Sequence, residues 1–223
     1  GTGYGDYDMS FTYSTLKTAI QNYTENDETT FTNNLSVFIK NAEERILKNA
    51  HLSLFRKNVT GSMTSSNQYL GCPSDFLAPF SLSYTSSSVK SFLDFKDVNF
   101  VQTFNPNSST TGSPRYYAQF DVDTFLIGPT PDSSYTSELH YFYRPASLTA
   151  GDDDGTTWLS INATQALLYG SLIEAYTFMK GEADLLQDYE KRFAEAMVSI
   201  KMLGESREVT DEYRSGMTIR QKQ

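Results

Sequence analysis

The sequence predicts an α+β protein: an antiparallel bundle of about four helices, interrupted by a β-rich insertion and followed by an extended C-terminal arm. Three observations carry this. Apolar residues recur at helical spacing near both ends, through residues 11–55 and again through 156–204. Between them, over residues 56–155, short aromatic and β-branched runs are broken by Ser, Thr, Asn, Pro and Gly. After Gly204 the apolar stripe is lost, so residues 205–223 have little to bury and are expected to order only on a partner. Helices, then strands, then helices is the segregation of an α+β fold, not of a wound parallel sheet.

Residues 1–10 are rich in Gly and Tyr and show no periodicity. They read as a flexible or partner-dependent arm, with Met9 a candidate initiator. From Phe11 the pattern turns helical: Thr12 or Ser14 can cap, and Leu16, Ile20 and Tyr23 share a face. Thr24 to Thr30 is a polar loop. A longer helix is expected next, with Phe31, Leu35, Phe38, Ala42 and Ile46 on its apolar side. Glu44 and Lys48 are spaced for a supporting ion pair.

In the insertion the expected strands are Lys57 to Met63, Phe80 to Tyr84, Val89 to Phe95, Arg115 to Phe120, Thr124 to Ile127 and Tyr135 to Tyr143. Asp121-Val122-Asp123 suggests a hairpin turn between two of them. Gly128-Pro129-Thr130-Pro131-Asp132 is a connection and cannot be a central strand. Val98, Val101 and Phe104 recur at helical spacing, so Asp97 to Phe104 reads as a short helix. Asn105 to Pro114 is a loop, and Gly151 to Gly155 links the insertion to the second helical region.

Trp158 to Leu203 reads as a helical hairpin joined at Gly181. Asn162 with Gln165 has the spacing of a capping box. Leu168, Leu172, Ala175 or Tyr176, and Met179 mark the face of the first helix, with Gly181 as its left-handed terminator. Leu186, Tyr189, Phe193, Met197 and Ile200 mark the face of the second, and Gly204 is expected to stop it. Across the insertion, the face from Phe31 to Ile46 is the expected partner of this hairpin.

Composition excludes several functions. One cysteine, Cys72, allows no internal disulfide, and two histidines, His51 and His140, cannot build a histidine-rich metal site. No apolar run approaches the ~20 residues of a bilayer helix, so the expectation is a soluble chain with no membrane role. The net charge of -9 argues against wrapping DNA by phosphate neutralisation, though not against surrounding DNA that must slide past. No phosphate-binding loop or dinucleotide fingerprint is present. Cys72 reads as a small buried apolar group. Asp152 to Asp154 lacks the alternate spacing of a calcium loop and reads as a solvated turn. The expectation is no enzyme, no cofactor and no metal. The residues after Gly204 interleave aromatic, apolar and basic groups, including Tyr213, Arg214, Met217, Ile219 and Arg220, as a docking segment would.

A resemblance adds to this reading. Thr12 to Tyr23 and Phe38 to Ile46 resemble segments of tailed-phage head-to-tail adaptor proteins. So do Tyr116 to Asp121, Gly128 to Pro131, Leu139 to Pro145, Thr157 to Leu159 and Leu168 to Ala175. Tyr189 to Phe193 and Thr210 to Arg214 continue the series in the same order. The resemblance implies a structural protein of the virion head–tail junction, made in the host cytoplasm. It implies a homo-oligomeric ring, typically of twelve subunits, below the portal protein, with tail nozzle or tail tube proteins beyond it. Double-stranded DNA would pass through the lumen without specific binding. It also implies that the C-terminal segment reaches the portal, which makes Tyr213, Arg214, Met217, Ile219 and Arg220 portal-docking candidates. The aromatic-rich insertion keeps one alternative open, a carbohydrate- or receptor-binding tail module.

Overall fold

The computed structural model of this chain describes residues 10–50 and 54–214. The chain divides into two compact units, Gly1–Leu54 with Pro145–Gln223 and, inserted between them, Phe55–Arg144. The fold is α+β, with helices and strands segregated along the chain.

The first unit is helical. Helix α1 (Tyr13–Thr24) starts at Thr12, which forms a reciprocal capping box with Thr15. Two further N–H groups of its first turn, those of Tyr13 and Ser14, donate to the carbonyls of Gly155 and Asp153. The acidic turn therefore satisfies donors that a helix start leaves open. Leu16, Ile20 and Thr24 are buried, whereas Tyr23 is exposed. Thr24 takes the inner position because its hydroxyl is satisfied by the carbonyl of Ile20.

The single long helix expected from Phe31 is broken in two, α2 (Thr29–Thr32) and α3 (Leu35–Asn49). The break falls at Asn33-Asn34. Asn34 Nδ2 donates to the Thr30 carbonyl at 2.7 Å, offering the backbone an alternative to the helical ladder. Phe31 is buried all the same, with its ring 5.4 Å from that of Phe38. The rest of the expected face, Leu35, Phe38, Ala42 and Ile46, is buried as well.

The second helical region differs from expectation at its start. The capping box is formed by Thr157 and Ser160, not by Asn162 and Gln165. It opens a short helix, α5 (Trp158–Asn162), so Asn162 sits in a closing turn and donates to the Trp158 carbonyl. Helix α6 (Thr164–Met179) follows directly. It is not amphipathic: Ala166, Leu167, Leu168, Gly170, Ser171, Leu172, Ile173 and Ala175 are buried on all sides. It is the central helix, with α1, α3 and the last helix, α7 (Ala183–Arg214), packed around it. Gly170 permits the closest crossing. A Cβ there would lie 3.0 Å from Ala42 Cβ and 3.2 Å from the Phe193 ring.

Helix α6 ends with Lys180, not Gly181, in the left-handed region, at φ 55°. Gly181 is needed for another reason: its N–H donates to the Tyr176 carbonyl, and a Cβ there would collide with the Tyr176 ring. In α7 the stripe of Tyr189, Phe193, Met197 and Ile200 is buried as expected. Gly204 does not stop it. The glycine is buried within the helix, which continues to Arg214. A helical glycine costs only ~1 kcal/mol relative to Ala, and the residues after it include good helix formers such as Glu205, Arg207 and Glu208. The expectation of a segment unstructured from residue 205 is therefore corrected as far as Arg214.

The second unit holds two four-stranded sheets. One has β1 (Arg56–Ser62) and β4 (Val89–Phe92) at its edges, with β10 (Thr136–Tyr143) and β3 (Phe76–Ser86) between. The other runs β2 (Tyr69–Gly71), β8 (Thr124–Gly128), β7 (Tyr116–Asp121), β5 (Asp94–Phe95). Their inner faces share one core, with Met63, Leu82, Tyr84, Leu139 and Tyr141 from the first and Tyr117, Phe125 and Ile127 from the second. The run from Val89 to Phe95 is thus two strands in two sheets, divided at buried Leu93. β2 carries too few residues for a pattern and escapes the sequence reading. β7 and β8 form the expected hairpin around Val122. Thr130–Pro131 (β9) pairs only with Thr111–Gly112 (β6), a two-residue ladder that is not hydrogen-bonded into either main sheet. Helix α4 (Val98–Phe104) starts at Asp97, as expected, and lays Val101 against Ala118 and Leu126.

Candidate functional site

The chemistry-bearing residues singled out in the sequence do not converge. Cys72 is half-buried, and burial, aided by Asp121 and Asp123, pushes its thiol up to about 11. It is therefore a protonated thiol and a poor nucleophile. His140 lies on β10, and its Nε2 is 4.0 Å from Glu138 Oε1, which Lys90 Nζ also contacts at 3.0 Å. His51 lies outside the described residues. In the acidic turn, Asp153 pairs with Lys17 at 2.9 Å. Among the described residues, no three His, Cys, Asp or Glu side chains come together as a metal site.

Among the described residues, one carboxylate is buried. Glu43 on α3 accepts from Ser147 Oγ at 2.6 Å and from the Leu148 N–H at 3.0 Å. Burial raises its pKa, against the lowering effect of those two hydrogen bonds and of Lys40. The arrangement anchors the chain where it returns to the helical unit, at the 3-10 turn Leu148–Ala150. No pattern in the sequence singles out Glu43, because the next residue is also Glu and only the fold decides which of the two is inside.

The exposed aromatic groups lie mainly on the insertion. Phe100 and Phe104 are parallel on α4, and the Tyr116 ring meets both edge-on at 5.0 and 4.9 Å. Cations cover this cluster, Lys96 over Phe100 and Arg115 over Phe104 and Tyr116. On the first sheet, Phe80 meets the Phe142 ring edge-on and Arg56 lies over it. A sugar platform needs open ring faces, and these rings are engaged by their neighbours. A cleft of about 180 Å³ beside α4, lined in part by Tyr69, Gln102 and Phe120, is below the ~300 Å³ at which small-molecule sites begin.

The helical unit offers a different surface. α7 is 32 residues long against 16 for α6. At 1.5 Å per residue it is about twice as long, ~48 Å against ~24 Å. On the side away from its buried stripe it exposes Val198 and Met202. Tyr213 and Arg214 fall in its last turn. Met217, Ile219 and Arg220 lie outside the described residues, so the five docking candidates are not brought together by any observed contact.

A model of the SU10 adaptor protein family matches residues 11–220. No match was found among curated proteins. The family match runs through both helical regions and the whole insertion, so it covers the entire architecture described above.

Proposed function

The chain belongs to the SU10 adaptor protein family and is a structural head-to-tail adaptor of a tailed phage, not an enzyme, and from that premise we propose how it is placed. As a family member it acts as an oligomeric ring that connects capsid and tail components at the head–tail junction of the virion. In the proposed arrangement the ring has twelve subunits and sits below the portal protein. The segment from residue 205 onward reaches the portal, with Tyr213, Arg214, Met217, Ile219 and Arg220 as contacts. Tail nozzle or tail tube proteins attach on the far side, and double-stranded DNA passes through the lumen without specific binding. Synthesis takes place in the host cytoplasm before assembly.

The observation that supports this most is the length of α7. A helix twice as long as its central neighbour carries the C-terminal segment on a stiff mount, which lowers the ordering cost of docking. The per-subunit charge of -9, repeated around a ring, also suits a conduit that must release DNA. The test is to image full-length protein mixed with its portal, alongside a chain ending at Glu205. The full chain should give a ring stacked on the portal whose symmetry counts the subunits. The shortened chain should fail to stack. Undiminished portal binding by the shortened chain would overturn the docking assignment.

A further inference from the structure

A closed ring of identical subunits requires each copy to present two different surfaces that fit one another. The sheet β1-β10-β3-β4 carries such a pair at its two edges. We propose that β1 of one subunit pairs with β4 of the next, so that this sheet continues from copy to copy around the ring. The proposal rests on the ring reading above and assigns the surface that closes it.

Strand direction is the first argument. Every pairing in this sheet is antiparallel, β1 with β10, β10 with β3, and β3 with β4. With four alternating strands, the two edge strands run in opposite directions. A rotation about an axis along the strands preserves direction. A neighbour brought up by that rotation therefore sets its β4 antiparallel to β1, and the alternation continues without a break. A sheet of three or five such strands would place parallel edges together.

The character of the edges is the second argument. β1 is seven residues long and pairs with β10 in unbroken register from Arg56 to Ser62, with no bulge. Its second residue to its last are all exposed. Exposed edges are usually shortened, bulged or blocked by proline because they recruit other strands. From Asn58 to Ser62 β1 has none of these protections and no charged side chain. At the opposite edge, β4 has only four residues, yet two of them are large and apolar and stand in solvent, Val89 at 63% and Phe92 at 66% exposure. On β1, Val59 is 38% exposed. Val59 pairs with inward-facing Leu139, and Ser91 pairs with inward-facing Tyr84. Val59, Val89 and Ser91 therefore share the inner face of the sheet, and a β1–β4 junction brings them side by side.

Hydrogen exchange on the full-length chain, free and assembled with its portal, tests this without fixing the register. The outward-pointing amides within residues 58–62 and 89–92, those not already bonded to β10 or β3, should slow by roughly tenfold or more on assembly. Covalent trapping gives a second measurement. In a Cys72→Ser background, Val59→Cys combined with Ser91→Cys or with Val89→Cys should give an oxidant-dependent ladder of linked subunits, and each single variant should not. Rings seen by electron microscopy in which both strands exchange as freely as in the monomer, and neither double variant links, would overturn the shared sheet and leave the ring reading intact. Absence of any ring on the portal would overturn both.

Discussion

Glu43 shows how one side chain can fasten a chain that leaves the helical unit and returns. Replacing it with Ala removes the acceptors of Ser147 Oγ and of the buried Leu148 N–H. A loss of ~1–3 kcal/mol is expected in urea unfolding, the cost of a buried donor left without a partner. The pH dependence separates charge from shape. Because burial raises the folded pKa above the unfolded value, the folded protein holds the Glu43 proton more firmly. The stability from this proton is fully present below the unfolded carboxylate range and is lost as pH rises through the folded value. The stability of Glu43→Gln relative to wild type should therefore improve as pH is raised from acid to neutral, as followed by unfolding midpoints. A gap that stays constant would show that folding leaves the Glu43 carboxyl unshifted, and one that moves the other way would show that folding lowers its pKa.

At the scale of elements, the β3–β4 hairpin turns through Ser87-Ser88, both at positive φ, 51° and 64°. Two-residue hairpin loops of this hand favour Asn-Gly, since serine tolerates the left-handed region poorly. Ser87→Asn with Ser88→Gly should stabilise the chain by ~1 kcal/mol, measured as a rise in the unfolding midpoint, because the strained pair is relieved. This turn also shows why some elements were legible in the sequence and others were not. Helix faces such as Tyr189, Phe193, Met197 and Ile200 announce themselves by spacing. Breaks depend on local competition: the side chain of Asn34 divides a helix that periodicity alone would join, and Thr157 starts one earlier than Asn162 suggests. Gly204 and Gly181 look alike in the sequence, yet one is carried through a helix and the other is required by contact with Tyr176. The central position of α6 was hidden as well, since a helix buried on every side has no face to detect.

At the scale of the whole molecule, the family was legible only through many short resemblances in one order. An assembly protein has no tight chemical motif, because its work is spread over backbone edges and broad faces. The docking candidates from Tyr213 to Arg220 stand out by composition, whereas the edges of a sheet depend on strand order, which composition does not encode. The net charge of -9 leads to a prediction at this scale. Assembled rings should bind linear double-stranded DNA weakly, and in filter or gel-shift assays near physiological salt no saturable complex should form at micromolar protein. Tight binding that weakens steeply with added salt would instead reveal a basic lumen.

The first and last strands of the insertion pair with each other, and the Tyr143 N–H donates to the Phe55 carbonyl where the two chain ends meet. The insertion therefore enters and leaves through a single narrow doorway. A module joined in this way can be exchanged between lineages by recombination without stretching the helices that receive it.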